Sequence, residues 1–319
     1  MNKLYPILLA ESLEKLKEGK LSNSLNDSSI VANGFLKGNT IDEAIEAYLG
    51  SLLGDSVFQY YKGMLPFEAR VISSAKATPV SVSPSDEEAV GRWLSLGKER
   101  VFYILKASPE SSIFLGFEKD LTAQQLYDLM LKGDIKSAMN ECAPEAGEIY
   151  YVAPKTPFAI GKGVEVLEIS SNSAVTLNIE EHDQFAEALD FINLSKYIPE
   201  YEIPENKNLI LDTITLTKPN VLSPGELESL VVLFVTAGKA KISYKGGEDI
   251  SLSKNSLVVV PHDMEEITIT PKGANCQMLR AHLKKIELIA QDDDHHHDHH
   301  HHCDDPDCDC HHHDHQAEC

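Results

Sequence analysis

The stretch from Gly147 to Thr176, GEIYYVAPKTPFAIGKGVEVLEISSNSAVT, shows the patterning that runs through the chain. Ile149 to Val152 is a short β-rich run, Phe158 to Ile160 sits between Pro157 and Gly161, and Val164 to Ile169 alternates apolar with acidic positions. Pro154, Pro157, Gly161 and Gly163 separate these runs with the residue types that tight turns favour. The rhythm predicts a small barrel of short antiparallel strands, in which a ligand or metal would sit among inward-facing side chains at the mouth. The inward candidates here are poor in ligating residue types.

Residues 1 to 62 read as an approach segment, with a helix over Ser12 to Lys20 and a polar loop over Ser22 to Ser29. Thr40 to Leu53 is an amphipathic helix, with Thr40 as N-cap and Asp42 and Glu43 in its first turn. Leu65 to Ser83 carries two strand-like pieces, FEARVIS and TPVSVS, and the SDEE that opens Ser85 to Leu94 is a capping-box pattern. Val101 to Lys106 and Ser112 to Phe117 read as strands, while Thr122 to Leu131 and Ile135 to Asn140 read as helices. Ala186 to Leu194 closes the first unit. The Pro-spaced YIPEYEIPENKN at 197–208 is a linker, and residues 209–285 are strands almost throughout, a second and smaller β-barrel or sandwich. The implied domains are 1–196, 209–287 and a tail at 288–319.

The charge is unevenly spread. The formal net charge is −22, and the ten acidic residues from Asp292 onward leave a body with 28 basic and 40 acidic side chains. Such a balance argues against a nucleic-acid surface. The only apolar run near the start, Tyr5 to Ala10, is too short for a signal peptide or a membrane span, so a cytoplasmic location is expected. Eleven of the 14 His and four of the six Cys lie in the tail. The body keeps His182, His262 and His282, and Cys142 and Cys276 are too few and scattered for a disulfide framework.

The last 28 residues, DDDHHHDHHHHCDDPDCDCHHHDHQAEC, have no apolar period and are expected to be disordered without a ligand. Their donors suit zinc, nickel, cobalt or copper: His295, His296, His297, His299, His300, His301, His302, Cys303, Cys308, Cys310, His311, His312, His313, His315 and Cys319. A purification tag would be a plain His run, whereas this segment is interleaved with Asp and four Cys. So many donors under so few positional constraints imply several weak, exchangeable sites.

The order of motifs resembles the short bacterial class I mannose-6-phosphate isomerases of the cupin superfamily. The carriers are VANGFLKGNTIDEAIEAY (31–48), LPFEARVISSA (65–75), VSVSPSDEEA (80–89), GKERVFYIL (97–105), GFEKDLTAQQL (116–126), GEIYYVAPKTPFAIGKGVEVLEI (147–169) and NSAVT (172–176). The resemblance implies a mainly β chain of two tandem cupin-like jelly-roll barrels, with a few helices inserted in the first and the active site there. In that family a zinc with four protein ligands polarises the sugar while a base moves a proton between adjacent carbons. The family's ligand positions fall on Ser81, Ser83, Arg100 and Phe158, none of them a zinc ligand. Glu99 is one residue from the expected carboxylate and so points to the opposite face. The family's arginine falls on Asn178, and a family lysine falls on Arg70.

These substitutions imply a catalytically silent barrel with no metal, its mouth plugged by Phe158, and transition-metal binding moved to the tail as buffer, store or chaperone. Two other readings stay open. One is an isomerase working through a displaced or tail-lent metal. The other is a sugar-phosphate sensor that binds through Arg70, Lys98 and Arg100. The partners implied are metal ions, a sugar phosphate and a metal-receiving protein, with no nucleic acid and no membrane.

Overall fold

The computed structural model describes residues 3–10, 15–16, 19–20, 22–273 and 275–287. Two β-units dominate them. The first has one sheet in the order Ile149–Val152, Arg100–Ala107, Val164–Ser171, Phe67–Ser73, Ser22–Leu25, and a second in the order Leu177–Asn178, Ser81–Val82, Phe158–Ile160, Ile113–Phe117, Met139–Cys142. The three runs of the Gly147–Thr176 stretch are all strands, but they do not form one hairpin array. Ile149–Val152 and Val164–Ser171 flank Arg100–Ala107, whereas Phe158–Ile160 crosses to the other sheet.

The period of two decides what each strand buries. In Phe67–Ser73, the side chains of Phe67, Ala69 and Val71 enter a core shared with the second unit, while Ile72 joins Phe102, Ile104, Tyr150, Phe158 and Val166 inside the first barrel. Glu68 and Arg70 alternate with that shared set and so face the barrel interior. The opposite sheet turns Val80, Val82, Ala159 and Leu177 outward under a helical layer that includes Leu126, Met130 and Phe185. That layer contains Ala123–Lys132, capped by a Thr122/Gln125 box, and His182–Ala188.

The second unit stacks a five-stranded sheet on a four-stranded one around Leu233, Val235, Ile242, Leu252, Val258 and Ile269. It recruits a strand from across the expected domain boundary, because Ile7–Leu8 pairs with Leu257–Val260. Val232, Phe234, Leu279 and Leu283 then meet Phe67, Val71, Leu167 and Ile169 in one apolar core, which also takes Ile41, Ile45, Leu52 and Leu53. The 197–208 linker is docked rather than free. Tyr151 N donates to Glu200 O at 2.9 Å, and Gly116, at φ +58°, lets Tyr197 approach so closely that an added Cβ would lie 2.3 Å from the Tyr197 Cβ.

Local chemistry explains where the elements begin and end. Thr40 and Glu43 form a reciprocal capping box on Ile41–Tyr48, and Ser85 and Glu88 do the same for Asp86–Trp93. Three expected helices are corrected. Thr40 to Leu53 breaks at Leu49, whose φ of +52° ends Ile41–Tyr48 and leaves Gly50–Leu53 as a separate turn. Within Ser12 to Lys20, Lys15–Leu16 pairs antiparallel with Gly19–Lys20, and Gly19 is the residue that disfavours a helix there. Ile135–Ala138 is a single 3₁₀ turn, after which Met139–Cys142 continues as a strand on Ile113–Phe117. Among the described residues, no helix is long and apolar enough to cross a membrane.

Candidate functional site

Arg100 opens its strand on the same face as Phe102 and Ile104, so its side chain enters the first barrel. Only 2% of the residue is exposed. Its Nη2 donates to Ser83 Oγ at 2.9 Å and to Thr176 Oγ1 at 2.6 Å. The Nε lies 3.4 Å from Glu168 Oε1, an ion pair without hydrogen-bond alignment. The guanidinium carbon stands 4.5 Å from the centre of the Phe158 ring, within cation–π range. Ser83 gives its single proton to Val175 O at 2.7 Å, so toward Arg100 it can only accept. The same commitment makes Thr176 the donor in its 3.1 Å contact with Ser83.

Glu168 is the counter-charge. The register places it opposite Arg70 on one neighbouring strand and Phe102 on the other. Arg70 Nη2 donates to both carboxylate oxygens, at 3.1 and 3.0 Å, and the Arg70 side chain is 41% exposed against 1% for Glu168. Burial pushes the Glu168 carboxyl up, but Arg70, Arg100 and Lys98 together outweigh it and hold the group below the ordinary carboxylate value. Burial pulls Arg100 down to about 10 against the pull of Glu168, which leaves it charged at neutral pH. Lys98 completes the group. Its Nζ donates to Glu68 Oε2 at 3.0 Å and to Ser173 O at 2.7 Å, and burial lowers its pKa against the attraction of Glu68.

Glu99, which immediately precedes this strand, faces the other way into surroundings of a different character. Glu99 Oε2 accepts from Tyr151 Oη and from Lys207 Nζ, both at 2.7 Å, and Lys207 also lies 5.6 Å over the Tyr151 ring. These groups, with Tyr60, Tyr61 and Asn206, line a cleft of about 470 Å³. Burial there pushes the Tyr61 phenol up to about 12. The one-residue offset between Glu99 and Arg100 thus puts the two side chains on opposite faces.

No protein-family model matches the chain. The mannose-6-phosphate isomerase ManA of Bacillus subtilis (strain 168) is 29% identical over 185 residues, 56% of this chain and 56% of that protein. The mannose-6-phosphate isomerase of Streptococcus mutans serotype c is 28% identical over 159 residues, 50% of this chain and 48% of that protein. The matches therefore span about half the length of these curated relatives. The crystal structure of the Bacillus subtilis mannose 6-phosphate isomerase superposes with a TM-score of 0.70 at 20% identity, covering 87% of this chain and 99% of that one. The chain is similar in sequence and in fold to mannose-6-phosphate isomerases. Its two β-units are the cupin-like barrels of that fold.

Of the positions where the isomerase resemblance expects metal ligands, the fold brings Ser83, Arg100 and Phe158 into contact. Ser81 lies opposite Phe158 in the ladder, but its hydroxyl turns to Pro79 O at 3.5 Å. Asn178 pairs with Ser81 on the edge strand of the sheet, where its side chain bonds Glu181 and the Glu180 N–H at the start of His182–Ala188. This donor set does not fit a zinc ion. The lone pairs of Ser83 and Thr176 already face a cation, Phe158 offers only a ring face, and the two carboxylates, Glu168 and Glu68, are each paired with a basic side chain. Among the described residues, no three His, Cys, Asp or Glu side chains converge to hold a metal.

Arg70, Lys98 and Arg100 do gather at one end of the barrel, and each is paired with Glu168 or Glu68. His182 is exposed, His262 bonds Asp263, and His282 is buried in the second unit. Cys142 and Cys276 are free and buried, and burial raises both thiol pKa values. The tail donors from His295 to Cys319 lie outside the described residues. Sequence reading missed Glu168 and Thr176 as members of the cluster. The available signal for Glu168 was its place in the alternating VEVLEI run, two residues from the barrel-facing Val166.

Proposed function

We propose that this chain is a mannose-6-phosphate isomerase-like protein whose barrel does not run the metal-dependent isomerisation. In this reading it binds a transition metal, zinc or nickel, through residues 292–319, as buffer, store or donor. The observation that carries the first half is the Arg100 guanidinium seated among Ser83, Thr176 and Phe158. A metal-assisted aldose–ketose isomerisation needs a Lewis acid to polarise the sugar and a base free to carry a proton. At this barrel end a fixed organic cation takes the ground between Ser83, Thr176 and Phe158, and Glu168, the carboxylate best placed to act as base, is held by two arginines. The second half rests on the composition of the tail, where 11 His and four Cys stand within 28 residues.

A coupled assay converting mannose 6-phosphate to fructose 6-phosphate, run with added zinc, tests the barrel. The expected rate is that of the blank, and turnover that scales with enzyme would overturn the reading. One observation supports a second reading, a sugar-phosphate sensor. The cluster sets three cations against two carboxylates, and Arg70 is partly exposed. A midpoint raised by sugar phosphates and not by free sugars would favour it.

A further inference from the structure

We propose that the first barrel contains a guanidinium site and that Arg100 is its tethered occupant, a fixed organic cation that makes the barrel independent of any bound metal. This deepens the reading of the barrel as metal-free, and it rests on that reading only for the identity of the cation. The surroundings match a flat, weakly hydrated cation and not a spherical ion. Ser83 and Thr176 accept from one terminal nitrogen, Glu168 faces the Nε edge at 3.4 Å, and the Phe158 ring covers a face at 4.5 Å. A ring face attracts a guanidinium, the two hydroxyls accept from its donors, and the carboxylate beside it supplies the counter-charge. Among the described residues, a metal ion there would find no imidazole or thiolate, and the carboxylates Glu168 and Glu68 are already paired with cations. Phe158 is itself fixed by contact with Phe102, their ring centroids 5.6 Å apart, so the platform does not depend on Arg100 to hold its place.

The site should therefore be separable from its tether. In the full chain, Arg100→Ala leaves Glu168, Ser83, Thr176 and Phe158 in position around an emptied volume. The expected melting midpoint falls by roughly 5–8 °C. Millimolar guanidinium or methylguanidinium chloride, far below denaturing concentrations, should recover a substantial part of that fall in Arg100→Ala and nothing in wild type. Sodium, ammonium and zinc chlorides at the same concentration should not. Recovery absent for guanidinium, or equal for ammonium, would overturn the proposal.

If Arg100→Ala does not accumulate as folded protein, Thr176→Val keeps the tether and removes one acceptor. Its midpoint should fall by roughly 2–5 °C, and an unchanged midpoint would overturn the proposal. Wild type melted with and without EDTA supplies the remaining arm, where a chelator-induced fall of the barrel transition counts against metal independence. These outcomes are read apart from the isomerase assay, so turnover would sink the proposed function while leaving the guanidinium site standing.

Discussion

Replacing Glu168 by Gln is the sharpest test of how the barrel end is held. The amide keeps the shape and one acceptor oxygen for Arg70, but it removes the charge that faces Arg100, a residue only 2% exposed. Breaking a buried pair by deleting one partner costs about 3–5 kcal/mol, most of it the penalty on the charge left behind. Unfolding entropy of about 2.1 cal/mol/K per residue over the 287 residues of the folded unit gives about 0.6 kcal/mol/K. The midpoint should then drop by about 5–8 °C at neutral pH. The sign of the pH dependence follows from the depressed Glu168 pKa. The stabilisation is present above the unfolded carboxyl value of 4.5 and is lost as pH falls through the lower folded value, so the gap between wild type and Glu168→Gln should narrow under acid. Glu99→Gln, on the opposite and more exposed face, is the control, and its pair should contribute at most about 1 kcal/mol. Thermal melts followed by circular dichroism read both. A Glu168→Gln midpoint within 1 °C of wild type, or equal to that of Glu99→Gln, would refute the reasoning (about 2 kcal/mol separates the two cases).

Two further outcomes follow from the same geometry. Burial pushes Glu88 up, but bonds from Lys155 and Ser85 bring its pKa down to about 2, so its contribution should disappear as pH falls from 4.5 toward 2. Acid titration of wild type beside Glu88→Gln checks this, and parallel curves would contradict it. Phe158→His alone should not create a zinc site, because Arg100 still fills the space and Glu168 remains its counter-ion. Competition with a chromophoric chelator, using chains truncated after Glu287, should give the same zinc affinity with Phe158 and with His at that position.

Much of the fold was legible because its strands declare themselves locally. Phe67–Ser73, Ile149–Val152 and Phe158–Ile160 have the bounds expected from alternation and flanking Pro or Gly, and the capping boxes at Thr40 and Ser85 form as the sequence suggests. What stayed illegible is non-local. Nothing in the two residues Ile7–Leu8 says that they complete a sheet some 250 positions away. The site divides in the same way. That Ser83, Arg100 and Phe158 would share one end of the barrel was an expectation the chain allowed, but the partner that makes a buried arginine tolerable was not legible in it. Glu168 meets Arg100 and Arg70 only through the pairing of three strands, so the ion pairs that tie these cations together could not be read from the chain.

The most direct measurement is bound metal after zinc loading and desalting, in the full chain and in a chain ending at Glu287. A barrel that carries its own cation and a tail that carries the donors predict several equivalents of zinc on the full chain and essentially none on the shorter one. A shorter chain that keeps a stoichiometric zinc would contradict the account.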